Sequence, residues 1–567
     1  MAAYQIKDVS FYYPNSSTPA LHHISASVEV GDFVLVGGPT GSGKTTLLRL
    51  LKKQVEPAGT LDGKIHFNGD CLQDLSDKDS AEKIGMVFQD PDHQIIMHTV
   101  RQELCYGMEN LGYSSSHMQK RMAEVVPFFG MRSWLHQTVD TLSGGQKQLL
   151  NLAAAMMLRP RVLILDEPTA QLDPVAASEF MDLLVRINQE LSVTVILSEH
   201  RLGNLYSHAN RVLFMRKGTL AFQGTPGEVI HRVWKEKDSD FLLYLPSVSR
   251  LYLKMEKSNR INAQIPTTVK GGKQWFNRYC ALHGSPFNQP VRPGAKESPG
   301  GGDILLDCDS LSFQYDKNAL PVLKHLSCQL QSGDFFVLLG GNGSGKSTLL
   351  KLIAGILDVQ RGSIRYRGTR FSKVPLEVRR REIGYVAQNP LAYFTRDTVG
   401  GQLKERADIL GLGNDSTLQE LVDRFHLQPV LEKHPFDISG GEQQKLVLAL
   451  VLMANPELLL MDEPTKGLDP VAKKNLAHWL HQLRGKGKTI FMVSHDIEFA
   501  AEHASQCGLL FDGNVMAHNS PTSFFTENFY YTTMIHRIVR ENLPEEISEE
   551  GVLARWSDSE NPFMVEA

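Results

Sequence analysis

Two stretches of the chain carry glycines, a lysine and hydroxyl residues at the spacing that grips a phosphate chain. They are Gly38-Pro39-Thr40-Gly41-Ser42-Gly43-Lys44-Thr45-Thr46 and Gly340-Gly341-Asn342-Gly343-Ser344-Gly345-Lys346-Ser347-Thr348. Glycines let backbone amides turn inward around phosphate oxygens, and a helix opening at the lysine adds partial positive charge. In such a loop Lys44 or Lys346 meets the β- and γ-phosphates, and Thr45 or Ser347 ligates Mg2+. ATP and Mg2+ are therefore the expected cofactors. Two Asp-Glu pairs follow, Asp166-Glu167 and Asp462-Glu463. Asp166 and Asp462 are expected to hold Mg2+, and Glu167 and Glu463 to orient and deprotonate the attacking water. A third duplicated motif, Ser143-Gly144-Gly145-Gln146 and Ser439-Gly440-Gly441-Glu442, precedes helix-forming runs and reads as another anion-binding helix start.

These groups need rigid elements to aim them. Each phosphate loop follows an apolar strand-like run (Phe33-Val34-Leu35-Val36; Phe335-Phe336-Val337-Leu338-Leu339) and opens a helix with leucines at helical spacing. Each Asp-Glu pair closes a run that reads as a buried parallel strand, Arg161–Leu165 and Glu457–Met461, and α/β folds place ligands at the carboxyl ends of such strands. The whole series of motifs occurs twice in the same order, which is domain duplication. The spacing predicts one nucleotide-binding domain over residues 1–234 and another over 303–525. Between them lies a connecting segment, 235–302, that ends in a run rich in Gly and Pro; a tail, 526–567, follows, and its acidic stretch Glu545–Glu550 is expected to be solvated or partly disordered.

Composition agrees with two cores: 567 residues exceed what one hydrophobic core supports, and 42% hydrophobic with 22% charged residues is ordinary for globular protein. A net charge of -4 gives no basic field to recruit nucleic acid or lipid, so no nucleic-acid partner is expected. No apolar run reaches the length of a membrane helix, and the first residues lack a secretory pattern, so the chain is expected in the cytoplasm. Six scattered cysteines without metal-ligand spacing read as free thiols.

With the Ser-Gly-Gly motif in both copies, the chain resembles the ATP-binding-cassette (ABC) proteins. That resemblance implies an α/β fold: two tandem P-loop NTPase domains, each with a mainly parallel sheet core, a helical subdomain and an antiparallel β part. It also implies further roles. Tyr13 and Tyr315 match the aromatic that stacks on adenine, and Gln89 and Gln388 the glutamine that senses Mg2+ and water. His200 and His495 match the switch histidine, and Asp173 and Asp469 the family's D-loop aspartate. The family geometry would pair Lys44, Thr45, Gln89, Asp166, Glu167 and His200 with Ser439 and Gly441, and Lys346, Ser347, Gln388, Asp462, Glu463 and His495 with Ser143 and Gly145, in an intrachain pseudo-dimer. Glu442 departs from the family's usual glutamine.

The first glutamine loop, Phe88-Gln89-Asp90-Pro91-Asp92-His93-Gln94-Ile95-Ile96, with Leu197-Ser198-Glu199-His200, is similar to the ATPases of energy-coupling factor (ECF) importers, in their fused two-domain form. The resemblance implies a peripheral subunit on the cytoplasmic face of the cell membrane. It would bind a transmembrane coupling subunit and, through it, a substrate-binding membrane subunit for vitamins or transition metals. Asp92 and Glu103, against Leu391 and Gln402 in the second copy, would make the docking groove acidic in one domain only. The alternative is a soluble tandem ATPase of the ABC-F type acting on ribosomes. That class carries a long charged helical hairpin between its domains, where this chain has a stretch broken by Gly and Pro.

Overall fold

A computed structural model describes residues 2–14, 16–200, 202–203, 205–256, 265–283, 303–317, 319–412 and 416–560. The Gly/Pro-rich run 285–302 lies outside the described residues. Two compact units emerge, Met1–Thr268 with Asp469–Val471, and Val269–Leu468 with the chain from Ala472 onward.

The first unit is built on a six-stranded sheet in the order Thr219–Gly224, Arg211–Arg216, Phe33–Gly37, Thr194–Ser198, Val162–Asp166, Ile84–Val87. All neighbours are parallel except the terminal hairpin. Every residue of Phe33–Gly37, Thr194–Ser198 and Val162–Asp166 is buried, as expected of parallel strands covered on both faces, and this is why they read as unbroken apolar runs. Parallel pairing brings their carboxyl ends to one edge of the sheet. The strand leading to His200 lies between the strand leading to the phosphate loop and the strand ending in Asp166. A second, antiparallel sheet of Leu21–Glu29, Ala2–Tyr12, Thr60–Phe67 and Asp70–Cys71 carries Tyr13 at the end of its longest strand. Helices Val100–Asn110 and Ser115–Phe128 pack with Gly144–Met156 as the helical part.

The second unit repeats the plan. Its main sheet runs Ile383–Val386, Leu458–Asp462, Thr489–Val493, Phe335–Leu339, Gln506–Phe511, Asn514–Asn519, and its antiparallel sheet Leu323–Gln331, Ile304–Phe313, Arg361–Tyr366, Thr369–Arg370.

The connecting segment and the tail are folded where they are described. In the first unit Phe241 of the short helix Ser239–Leu242 stacks on Phe214 with centroids 4.9 Å apart. In the second, helix Val269–His283 packs on Met534–Val539, and its Phe276 and Tyr279 meet Trp556 at 5.7 and 5.3 Å. The acidic stretch is folded, with Glu545 and Glu550 exposed: Glu546 accepts from Arg555 Nε at 2.7 Å, and the Ile547 carbonyl accepts from Thr533 Oγ1 at 2.7 Å while the Ile547 side chain is buried. Ile547, between its acids, holds it against the unit. Among the described residues no helix is long and apolar enough to cross a membrane, and the six cysteines are free.

Candidate functional site

Each phosphate loop is held open by its own backbone. Gly38 has φ 142° and a Cβ there would lie 2.3 Å from the Met215 carbonyl oxygen; at Gly340, φ 157°, it would lie 2.5 Å from that of Leu510. Only glycine fits that approach. Helices Lys44–Leu50 and Lys346–Ile353 start from Gly43 and Gly345 in the left-handed region, with no side-chain cap. Their first amides therefore point into the loop without a side-chain partner, which is an anion site in waiting. Lys44 Nζ folds back to donate to the carbonyls of Gly38 at 2.8 Å and Pro39 at 3.3 Å, and Lys346 Nζ to those of Gly340 and Gly341, both at 2.9 Å. The hydroxyls of Ser42 and Ser344 are buried in the loops without a hydrogen-bond partner. Two matched orphans of this kind are costly unless a ligand engages them. Thr40, Gly41, Asn342 and Gly343 complete the two turns. Tyr13 and Tyr315, both exposed, share hydrogen bonds of 3.0 Å with Thr46 and Thr348, which stands each ring beside its loop.

At the neighbouring strand ends the acidic pairs are buried. Asp166 Oδ1 accepts from Ser198 Oγ at 2.7 Å; Asp462 Oδ1 accepts from Ser347 Oγ at 2.9 Å and Oδ2 from Tyr385 Oη at 3.3 Å. Burial raises both aspartates above the ordinary carboxylate range, and the hydroxyls of Ser198 and Thr45, or of Ser347 and Tyr385, offset this only in part. Carboxylate and hydroxyl oxygens in a desolvated corner suit a hard dication such as Mg2+. Glu167 and Glu463 stand in the left-handed region, φ 45° and 52°, each tied by its N–H to the next strand at 3.0 Å. That rare backbone turns the carboxylate toward the loop. His200 Nε2 lies 2.8 Å from Glu167 Oε1, and His495 Nε2 2.9 Å from Glu463 Oε1. The lysine of the same loop stands at 3.6 and 4.0 Å. For Glu167, burial pushes the carboxyl up, but His200 and then Lys44 outweigh it and hold it below the usual range.

The copies differ at the glutamines. Gln89 Nε2 donates to Glu167 Oε2 at 3.1 Å, whereas Gln388 is exposed and makes no such bond to Glu463. In the first copy the buried Glu199 accepts from the Thr169 hydroxyl at 2.6 Å and from the His200 amide at 3.2 Å; in the second, Glu463 itself takes the His495 amide at 3.2 Å.

Ser143 and Ser439 cap 13-residue helices by a reciprocal box. Ser143 N donates to Gln146 Oε1 at 2.9 Å and Ser439 N to Glu442 Oε2 at 2.8 Å, so the acid in the second motif preserves the cap. Gly145 and Gly441 sit in the first turns, and Asp173 caps helix Pro174–Leu191 through the amides of Val175 and Ala176.

Only one of the two acids of the expected groove is exposed. Glu103 is 6% exposed, and its carboxylate accepts from the amides of Ile96 at 3.0 Å and Met97 at 2.7 Å. Gln402 does the same in the second copy, accepting from Thr395 at 2.8 Å and Arg396 at 3.1 Å. Both are loop fasteners, so the acid and the amide are interchangeable. Asp92 is exposed but already meets Lys147 Nζ at 2.6 Å. Sequence reasoning also missed a clamp on the strand before each glutamine. Gln94 accepts from Phe88 N and donates to the Met86 carbonyl at 2.9 and 3.0 Å; Tyr393 Oη accepts from Ala387 N and donates to the Tyr385 carbonyl at 3.0 and 2.7 Å. The available signal was their position, six residues beyond the amide that each one clamps.

A phosphate loop, a buried Asp-Glu pair backed by a histidine, and a serine-capped glycine helix, on a parallel sheet with an antiparallel side sheet, define an ABC-type ATPase, and the chain holds two. The chain belongs to the ABC transporter family, whose model matches residues 21–170 and 323–466. A Bacillus cereus protein named an ABC transporter ATP-binding protein is 43% identical over 549 residues, covering 97% of each chain. A Streptomyces coelicolor protein of the same description is 30% identical over 94% of this chain and 97% of its own. Among solved structures, cbiO1 of Clostridium perfringens, described as part of the ABC transporter complex cbiONQ, is 29% identical over 45% of this chain and 96% of its own, with a TM-score of 0.38. The protein is accordingly an ATP-binding ATPase with two nucleotide-binding domains.

Proposed function

We propose that both copies hydrolyse ATP with their own machinery and that the chain energises an importer of the ECF type. The observation that carries the first part is the repeated contact of a histidine with a buried glutamate, 2.8 and 2.9 Å, beside the lysine of the same loop. In this reading Lys44 and Lys346, with the loop amides, bind the phosphates, and Tyr13 and Tyr315 stack on adenine. Thr45, Asp166 and Gln89, and Ser347, Asp462 and Gln388, would hold Mg2+, which supplies charge neutralisation on the β- and γ-phosphates. Glu167 Oε2 or its counterpart on Glu463 takes the proton of the attacking water. His200 holds the other oxygen of Glu167 and steadies the anion until the proton arrives, and His495 stands 2.9 Å from Glu463 Oε1. Gln89 occupies Glu167 Oε2 at 3.1 Å, so its displacement frees that oxygen for the water.

The importer reading rests on the glutamine loop Phe88–Ile96 and on Leu197–His200, which are similar to ECF-type ATPases. The partners are a transmembrane coupling subunit and a substrate-binding membrane subunit, and membrane contact is indirect, at the cytoplasmic face. Affinity purification of the tagged chain from detergent-solubilised membranes tests it. Integral membrane proteins in fixed ratio are expected; ribosomal proteins in their place would overturn the reading in favour of the ABC-F type.

A further inference from the structure

The two Asp-Glu strands are aimed by different donors, although the two main sheets share one strand order. In the first copy Asp166 pairs across the parallel ladder with Ser198, whose hydroxyl donates to Oδ1 at 2.7 Å. In the second, the residue opposite Asp462 is Val493, which has nothing to donate. The missing hydrogen bond is made from the other side. Strand Ile383–Val386 flanks Leu458–Asp462, and its Tyr385 reaches over to give its hydroxyl to Asp462 Oδ2 at 3.3 Å. The matching residue of the first copy is Met86, which cannot donate. Serine with methionine in one copy, and valine with tyrosine in the other, is a compensated exchange around a single carboxylate. Tyr385 is itself held, because Tyr393 Oη donates to its carbonyl at 2.7 Å and accepts from Ala387 N at 3.0 Å. The phenol thus stands on a strand whose end is pinned just beyond it.

We propose that Tyr385 is a positioning residue for Mg2+·ATP in the second copy: its hydroxyl fixes the Asp462 carboxylate as Ser198 fixes Asp166, leaving the two copies with separately tunable metal affinity. A carboxylate with both oxygens engaged, Oδ1 by Ser347 and Oδ2 by Tyr385, has one orientation. Loss of the phenol lets it rotate away from the metal direction. Outer-sphere partners of metal ligands act in this way, and removing one typically costs about 10-fold or more in metal affinity. The first copy should not respond, since its aspartate is held by a residue on another strand.

The inference rests on the reading of Asp462 as a metal ligand, and the experiment separates the two. In full-length protein carrying Lys44→Ala, which suppresses nucleotide binding at the first loop, binding of a fluorescent ATP analogue is titrated with Mg2+ and repeated in EDTA. Tyr385→Phe and Tyr385→Met should raise the half-saturating Mg2+ concentration about 10-fold and leave metal-free nucleotide affinity unchanged. Adding Val493→Ser to Tyr385→Met grafts the first copy's donor and should restore the parent value to within about 3-fold. Asp462→Asn should shift the Mg2+ titration at least as far as Tyr385→Phe does. If Asp462→Asn does not shift it, the metal assignment falls and this proposal with it. If Asp462→Asn shifts it while Tyr385→Phe titrates like the parent, only the positioning role is overturned. The positioning role falls equally if Tyr385→Phe weakens metal-free and metal-dependent binding alike. Thermal melting of Tyr385→Phe at the parent temperature would place the effect at the site and not in the fold; a fall in melting temperature that accounts for the shift would count against it.

Discussion

Replacing Glu167 and Glu463 by glutamine removes the proposed general base of each copy while keeping the side chain's size and one of its two acceptor oxygens. Both carboxylates are buried, 8% and 7% exposed, and glutamine has their shape. One oxygen remains to meet the histidine ring at about its present 2.8 or 2.9 Å, and the lysines, at 3.6 and 4.0 Å, keep their carbonyl partners in the loop. Phosphate binding should therefore survive undiminished, since the substitution takes an anion away from beside the phosphate site. General-base loss costs roughly 10²–10⁴ in rate, about 3–5 kcal/mol of transition-state stabilisation. The assay is steady-state phosphate release at saturating Mg2+·ATP, with equilibrium binding of a fluorescent ATP analogue run alongside. The double variant should fall by that factor with binding retained, and each single variant should be impaired, because each copy has a complete set of groups. Near-normal turnover in the double variant would refute the base assignment. Loss of turnover with Glu167→Gln alone, and none with Glu463→Gln, would make the second copy a regulatory binding site.

Gln94→Ala and Tyr393→Phe each leave a strand-end amide and carbonyl without their clamp, so each should cost about 1–3 kcal/mol, read as a lowered urea midpoint. Trp556→Ala removes a buried ring from Phe276 and Tyr279 and should cost about 3 kcal/mol, seen in unfolding of the second unit with nucleotide binding at the first loop unchanged. Burial raises the Asp166 carboxyl in the folded protein, so the folded state keeps that proton to higher pH than the unfolded chain, and the associated stability is lost as pH rises through the folded value. Asp166→Asn should accordingly raise the melting temperature of the nucleotide-free protein at neutral pH and flatten its pH dependence just above the ordinary aspartate range, and an unchanged or lower melting temperature would count against the burial argument.

The phosphate loops, Asp-Glu pairs and capped glycine helices were legible in the sequence because each is a local pattern whose chemistry depends on near neighbours along the chain. The buried strands were legible for the same reason, since full burial of Val162–Asp166 and Leu458–Asp462 leaves an uninterrupted apolar run. What sequence could not supply was cross-strand register. Ser198 and Val493 differ plainly in the sequence, but only the ladder shows that both face the aspartate, and only then does the change of Met86 to Tyr385 read as compensation. Glu103 misled because a glutamate in the first turn of a helix is ordinarily solvated. The pairing with Gln402 at the matching position was the clue, since an acid and an amide share only the ability to accept from amides. In the tail, attention to the acids hid Ile535, Ile538 and Val539, whose helical spacing buries a face against Val269–His283.

One chain should hold two ATP sites, each complete in its loop, acids and histidine. Nucleotide stoichiometry in the Glu167→Gln, Glu463→Gln double variant tests this most directly, because bound ATP is then not consumed. Equilibrium dialysis with labelled ATP and Mg2+ should give two nucleotides per chain, falling to one when either Lys44→Ala or Lys346→Ala is added. One nucleotide per chain in the double variant, or no loss on adding Lys346→Ala, would contradict the two-site reading.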